Sequence, residues 1–274
     1  DEQSRDFGET EARASSIVVY SPGFHPEHQW LGLAREAGIP LFGEMDFGSF
    51  FLENRIVAIT GTNGKTTLTT LLDRIWKESG KKAFTAGNIG VPLCELIAKG
   101  LDPDSLVFLE VSSFQAQQLK NLRPSSVLWT NFEEDHLDHH GSMEEYFTSK
   151  AQLFSHVSRQ DSWIGRSVFE MAKDLQYELP ENAKVVERDG VDSSFLPSDH
   201  FMNSYPQKEN LSLAWNFSHS RGISKTDFEQ AILNYRPQPH RLEKVATIGK
   251  ATFWNDSKAT NTSATVAACR NFSG

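Results

Sequence analysis

The stretch RIVAITGTNGKTTLTTLL, residues 55–72, decides the fold. Four apolar or small residues and a threonine follow Arg55, then two glycines bracket Thr62 and Asn63, then Lys65 opens a helical pattern. A strand that ends in a glycine-rich turn and runs into a helix is a phosphate cradle. Gly61 and Gly64 permit the tight backbone path, and amides of Thr62, Asn63, Thr66 and Thr67 can turn toward phosphate oxygens. The helix N-terminus adds partial positive charge. Lys65 is then placed to neutralise the β- and γ-phosphates, and Thr66 to ligate Mg²⁺. One feature departs from the common G-x-x-x-x-G-K-[ST] spacing: Ile59 stands where the first glycine is expected.

Outward from that stretch, apolar strands alternate with helices. SLVFLEV and SSVLWTNF read as strands, with KKAFTAG between them and the loop; residues 66–79 and 144–157 read as helices. Continuous apolar strands separated by helices predict an α/β fold with a mostly parallel sheet covered on both faces. Residues 158–208 are weakly patterned, with AKVVERD the one clear strand. Upstream, SIVVYSPG, a helix through HPEHQWLGLAREAG and the strand IPLFG make a short β-α-β block. Downstream, RLEKVATIGKATFWNDS reads as a hairpin before a helix. The expected organisation is a central P-loop domain at 51–239, flanked by partial Rossmann-like domains at 1–50 and 240–274.

The 274 residues carry a net charge of −9, which disfavours a general nucleic-acid binder. Only Cys94 and Cys269 occur, without metal spacing, which fits a reducing cytoplasm. No apolar run approaches a membrane span, and the polar opening DEQSRDFGETEARASS is no signal peptide. The chain opens without Met and is expected to be an internal piece.

Glu110 ends an apolar strand, at the rim where ligands bind in parallel sheets, and so suits a Mg²⁺. TNFEEDHLDHHG offers Glu133, Glu134, Asp135, His136, Asp138, His139 and His140 without the spacing of a zinc cage, and periodicity does not choose among the histidines. Lys150 shares an apolar helix face with Phe147, Ala151, Phe154 and Val157. It could snorkel to water, which pattern alone favours, or stay as a desolvated amine able to take up CO₂ as a carbamate. NDSKATN offers Asp256, Lys258 and Thr260, either as a polar turn and cap or as ribose and phosphate contacts.

Together GTNGKTT, GNIGVPL, LEVSSFQ, TNFEEDHLD, YFTSKAQLF, PHRLE and NDSKATN resemble the Mur ligase family, in family order across nearly the whole chain. That family uses a shorter glycine pattern, which accounts for Ile59. SSFQ and NDSKATN resemble its D-glutamate-adding branch. The resemblance implies ATP-driven amide formation between UDP-N-acetylmuramoyl-L-alanine and D-glutamate through an acyl phosphate, by a monomer in the bacterial cytoplasm. It implies two Mg²⁺ ions, one on Thr66 and Glu110, the other on His136 and a carbamylated Lys150. Asn88, Ser112 and Gln115 would meet the sugar nucleotide, and SPG at Ser21 to Gly23 would end the UDP-binding domain. Asn210 would approach adenine, with Leu213 standing where the family places a second Asn; Arg241 and Asp256 would meet ATP, and Lys258 and Thr260 the D-glutamate side. The alternatives are a sister Mur ligase or folylpolyglutamate synthetase, disfavoured by SSFQ and NDSKATN, and a nucleotide-binding module without ligase activity.

Overall fold

Residues 7–155, 161–198, 200–259 and 262–272 are described by a computed structural model. Ahead of the glycine-rich stretch lie α1 (Glu9–Ala14), β1 (Val18–Tyr20), α2 (Gln29–Glu36), β2 (Leu41–Gly43) and α3 (Glu44–Gly48). Strands β1 and β2 pair in parallel, with Val18 opposite Leu41. His28 caps α2 by accepting from the Trp30 amide, and Gly38, at φ 72°, ends it as the sequence predicts.

The central sheet is built from β3 (Arg55–Thr60), α4 (Lys65–Glu78), β4 (Ala83–Gly87), α5 (Leu93–Ala98), β5 (Leu106–Glu110), α6 (Ser113–Gln118) and β6 (Ser126–Trp129). It continues through α7 (Leu137–His140), α8 (Met143–Ser155), β7 (Ser162–Gly165), α9 (Arg166–Asp174) and β8 (Ala183–Val186). All six strands run parallel in the order β4-β5-β3-β6-β7-β8. After it come α10 (Gln207–Ser220), α11 (Lys225–Leu233), the antiparallel hairpin of β9 (Glu243–Ile248) and β10 (Ala251–Asn255), and α12 (Thr262–Cys269).

Alternate residues of β3 enter opposite cores, as a period of two requires. Val57 and Ile59 pack with Leu68, Leu71, Leu72 and Ile75 of α4 and with Leu211, Leu213 and Phe217 of α10. Ile56 and Ala58 pack with Val107, Leu109, Leu93 and Ala116 on the other face. Ile59 is therefore a core residue, fully buried and paired with both Glu110 and Leu128, and the glycine-rich turn begins only beyond Thr60.

Two expectations change. Within the weakly patterned segment 158–208 lie two elements that the sequence does not announce, β7 and α9, and β7 joins β6 to β8. Four residues are too few for periodicity to announce a strand, and β7 is held by sheet position, all four being buried. The SSFQ segment, given no element from sequence, forms α6, whose N-cap Ser112 and N3 Gln115 make a reciprocal capping box. Val157, expected on the buried face of α8, lies outside the described residues.

Candidate active site

The chain leaves β3 for β4 on one side and later returns to β6 on the other, so the carboxyl end of β3 is a topological switch point. Crevices of this kind are where α/β sheets bind ligands. The turn at 61–64 fills it. Gly61 has φ 146°, and a Cβ there would come 1.8 Å from Thr130 Oγ1, so the position admits only glycine. Gly64, at φ 85°, is the N-cap of α4 and gives it no side-chain cap, which leaves first-turn amides for an anion.

Residues that sequence reasoning did not select tie the turn to the segment after β6. Asn131 accepts from the Asn63 amide through Oδ1 (2.8 Å) and from the Thr62 amide through its carbonyl (3.1 Å). Thr130 Oγ1 donates to the Asn63 carbonyl (2.6 Å). Glu133 accepts from Asn63 Nδ2 (3.0 Å) and from the Tyr205 hydroxyl (3.3 Å). Asn131 and Glu133 lie within TNFEEDHLD, yet nothing local marks them as supports of a loop about 70 residues away. Thr62 Oγ1 donates to the Glu133 carbonyl (3.1 Å), and Thr67 is buried in α4.

Glu110 is 2 % exposed. Its Oε1 accepts from Asn88 Nδ2 (3.0 Å), while its Oε2 is buried with no hydrogen-bond partner. The carboxylate acts electrostatically on Lys65. A dehydrated anionic oxygen beside a phosphate loop suits a hard divalent cation. Asn88, expected to meet the sugar nucleotide, here steadies that carboxylate, its own amide also bonding the Glu110 carbonyl (2.8 Å). Among the described residues no group of three or more His, Cys, Asp or Glu could hold a metal, so an ion at Glu110 would need other oxygen ligands as well.

Lys150 does not snorkel to water. It is 1 % exposed, its Nζ donates to the Gly61 carbonyl (3.0 Å), and it lies over the Tyr146 ring (4.6 Å). Burial, seconded by the charge of Lys65, holds its ammonium well below the usual lysine range. Lys65 donates to the carbonyls of Gly61 and Thr62, each at 2.9 Å, and burial lowers its pKa too, with Glu110 and Asp135 opposing. Asp135 acts on both lysines.

The histidines separate by environment. His136 sits at φ 52° as N-cap of α7, its ring exposed, edge-on to Phe114 (5.1 Å) and 3.5 Å from Asp135. It has no direct contact with Glu110 or Lys150 among the described residues; Asp135, and the Tyr146 ring at 6.2 Å over which Lys150 lies, stand between them. His140 is buried, with Nε2 at 2.9 Å from Ser113 Oγ and Nδ1 at 3.3 Å from Ser149 Oγ, and burial pushes it down to about 4.

The remaining expected residues fall into three places. Arg241, Asp256 and Lys258 line one cleft with Asn63, Gly64 and Tyr205. Asn210 is buried beneath the turn, donating to Gln207 Oε1 (2.9 Å); a Cβ on Gly64 would lie 2.7 Å from it. Leu213, one turn on, is core, not surface. Ser112 and Gln115 bond each other, with the Ser112 amide and Gln115 Oε1 at 2.9 Å. Gln115 also faces Pro22, between Ser21 and Gly23, whose turn is closed by the Phe24 amide on the Ser21 carbonyl (3.1 Å). Thr260 lies outside the described residues.

The family model for the Mur ligase middle domain matches residues 59–194. UDP-N-acetylmuramoylalanine--D-glutamate ligase of Koribacter versatilis is 32% identical over 286 residues, covering 97% of this chain and 63% of that protein. The same enzyme of Aquifex aeolicus is 34% identical over 269 residues, covering 93% and 63%. The chain belongs to the Mur ligase family. This Mur ligase chain spans 59% to 63% of the length of these and similar curated relatives. Its fold is that of the MurF ligase from Thermotoga maritima in complex with ADP, at TM-score 0.63 and 16% identity, covering 98% of this chain and 74% of that one. No helix among the described residues of this Mur ligase is long and apolar enough to cross a membrane.

Proposed function

We propose that this chain carries the ATP-binding centre of a ligase that joins D-glutamate to UDP-N-acetylmuramoyl-L-alanine. The proposal rests above all on Glu110 Oε2, a buried carboxylate oxygen without a partner beside the phosphate turn. Relatives at 32–34% identity bear that activity in their names. Residues 51–239 would be the ATP-binding domain, with 1–50 and 240–274 contributing the UDP-sugar and amino-acid sides.

A carboxylate is a poor electrophile at neutral pH, so the L-alanyl carboxylate takes the γ-phosphoryl group of ATP and releases ADP. The amine of D-glutamate attacks the acyl phosphate, and phosphate leaves as the amide forms. Lys65, released from the carbonyls of Gly61 and Thr62, and first-turn amides of α4 hold the transferring group. Arg241 and Asp256, across the cleft from Gly64, hold the nucleotide, with Asn210 supporting the turn from below. Thr66 and Glu110 would hold one Mg²⁺, and His136 with Lys150 a second; bound there, such ions would supply neutralisation of phosphate charge. Lys150 fits that role as a carbamate. Burial favours its neutral amine, which would attack CO₂ and lose one proton, leaving an anionic oxygen ligand.

The test is an assay of the whole protein with ATP, UDP-N-acetylmuramoyl-L-alanine and D-glutamate. Amide, ADP and phosphate are expected in equal amounts. Amide formation with another amino acid in place of D-glutamate would overturn the substrate assignment. Lys150→Ala is expected to abolish turnover and added acetate to restore part of it; unchanged turnover removes the carbamate.

A further inference from the structure

We propose that the amino-terminal end of the sheet carries a second site, for a small phosphomonoester or diphosphate, independent of the ATP site. A cavity of about 430 Å³ opens there, within the size range of small-molecule sites. Arg55 begins β3, Lys81 and Lys82 lead into β4, and Arg221 follows α10; all four line it. Arg55 and Thr60 are the two ends of β3, so this cavity lies ~17 Å from the phosphate turn at ~3.3 Å per residue.

Its charge is out of keeping with the rest of the chain. Lys82 is bonded to Asp102, Asp104 lines the wall, and Lys184 pairs with Asp161 at 3.1 Å. Set against those three carboxylates are Arg55, Lys81, Lys82, Arg221 and Lys184, a surplus of two positive charges in a chain whose net charge is −9. Arg221 feels the strain: burial lowers its pKa and the charge of Arg55 lowers it further, against Asp161. Two arginines that repel each other across a cavity are both relieved by a dianion.

Arg221 is also held ready. Its Nη2 donates to Ser126 Oγ (2.8 Å), and its guanidinium lies over the rings of Phe217 (5.4 Å) and Trp163 (5.8 Å). A guanidinium fixed on two rings loses little freedom when it receives a phosphate. Beside it the wall is apolar: Leu106, and Trp76 stacked on Phe217 at 5.5 Å and 22°. The space exceeds that of a lone phosphate, so an organic phosphate whose flat or apolar part rests on Trp76 suits it better than the bare ion.

Calorimetric titration with inorganic pyrophosphate separates this site from the phosphate turn. Binding is expected to survive in Lys65→Ala, and to weaken at least tenfold when Arg55→Ala and Lys81→Ala are added. In an otherwise unaltered chain that pair should leave ADP affinity and melting temperature unchanged, both residues being exposed. The charge-preserving pair Arg55→Lys and Lys81→Arg should retain pyrophosphate binding. Loss of all pyrophosphate binding in Lys65→Ala, or undiminished binding after the Arg55 and Lys81 changes, overturns the proposal. Failure of ADP to bind the unaltered chain would instead count against the nucleotide site alone.

Discussion

Lys65 and Lys150 donate to one acceptor, the carbonyl oxygen of Gly61, at 2.9 and 3.0 Å. Two ammonium groups so placed are no more than ~6 Å apart, where repulsion at an effective dielectric of ~20 is about 3 kcal/mol. One of them is better neutral, and burial selects Lys150. On the proposed reading, the pair would keep one cation for phosphate and one latent nucleophile for CO₂.

This has a signature in pH. The folded pKa of Lys150 lies below its unfolded value of ~10.4, so between the two the unfolded chain binds more protons. Stability therefore rises with pH through that window and is lost as pH falls. In CO₂-free buffer, the urea midpoint of Lys150→Met is expected to vary less between pH 7 and 10 than that of the unaltered chain. At pH 7 the variant should be more stable by about 1 kcal/mol. Parallel curves would show that Lys150 stays charged.

Glu110→Gln keeps the size of the side chain and removes its charge. ADP alone should bind as before, while the gain in affinity from Mg²⁺ should fall by about tenfold or more. An unchanged Mg²⁺ dependence would place the ion elsewhere.

Gly61→Ala drives a methyl onto Thr130 Oγ1 at a backbone angle that alanine rarely adopts. A loss of about 3 kcal/mol and of nucleotide binding is expected. Adding Thr130→Ala should return part of the stability, because the clash is with that hydroxyl; no recovery would locate the strain in the backbone alone.

Asp46 is 1 % exposed, and its Oδ1 accepts from the amides of Lys120, Asn121 and Leu122 at 3.0, 2.7 and 3.0 Å. It pins α3 beneath the chain that leads into β6. Asp46→Ala strands those amides and should cost about 3 kcal/mol in chemical denaturation. A change under about 0.5 kcal/mol would mean that water takes over the nest.

Glu209, on α10, is pushed up to about 7, foremost by burial, with Arg188 opposing and Glu133 adding to the rise. A carboxyl whose folded pKa is raised binds more protons folded than unfolded between ~4.3 and its folded value. Stability is then fully present below that window and declines as pH climbs through it. Glu209→Gln should remove the decline and exceed the unaltered chain above pH 7, by on the order of 2 kcal/mol. Identical melting profiles from pH 4 to 8 would exclude the effect.

What could be seen from sequence follows the reach of each interaction. The glycine-rich turn, β3, α4 and the terminal position of Glu110 are local patterns, and these elements stand as expected. Lys150 was on the right face of its helix, but its fate depends on a carbonyl contributed by another element, which periodicity does not contain. Asn131 and Glu133 act across the sheet, and Gly165 is required because a Cβ there would meet the Thr130 carbonyl at 2.0 Å, a partner in the neighbouring strand connection. Strand β7 owes its conformation to the neighbours that flank it.

Glu110 has Ile59 on one side and Gly87 on the other in the sheet register, and the Asn88 amide on its carbonyl. Its main chain is immobilised before any ion arrives, and its carboxylate has already shed its water. The cost of dehydrating that anion is met once, when the chain folds, by the same cores that bury Ile59 and Leu109. A cation reaching the crevice would meet an oxygen that need neither move nor dry, so the affinity of the proposed site would be written into the cooperativity of the sheet. Substitutions deep in those cores should accordingly loosen metal binding before they visibly unfold the protein.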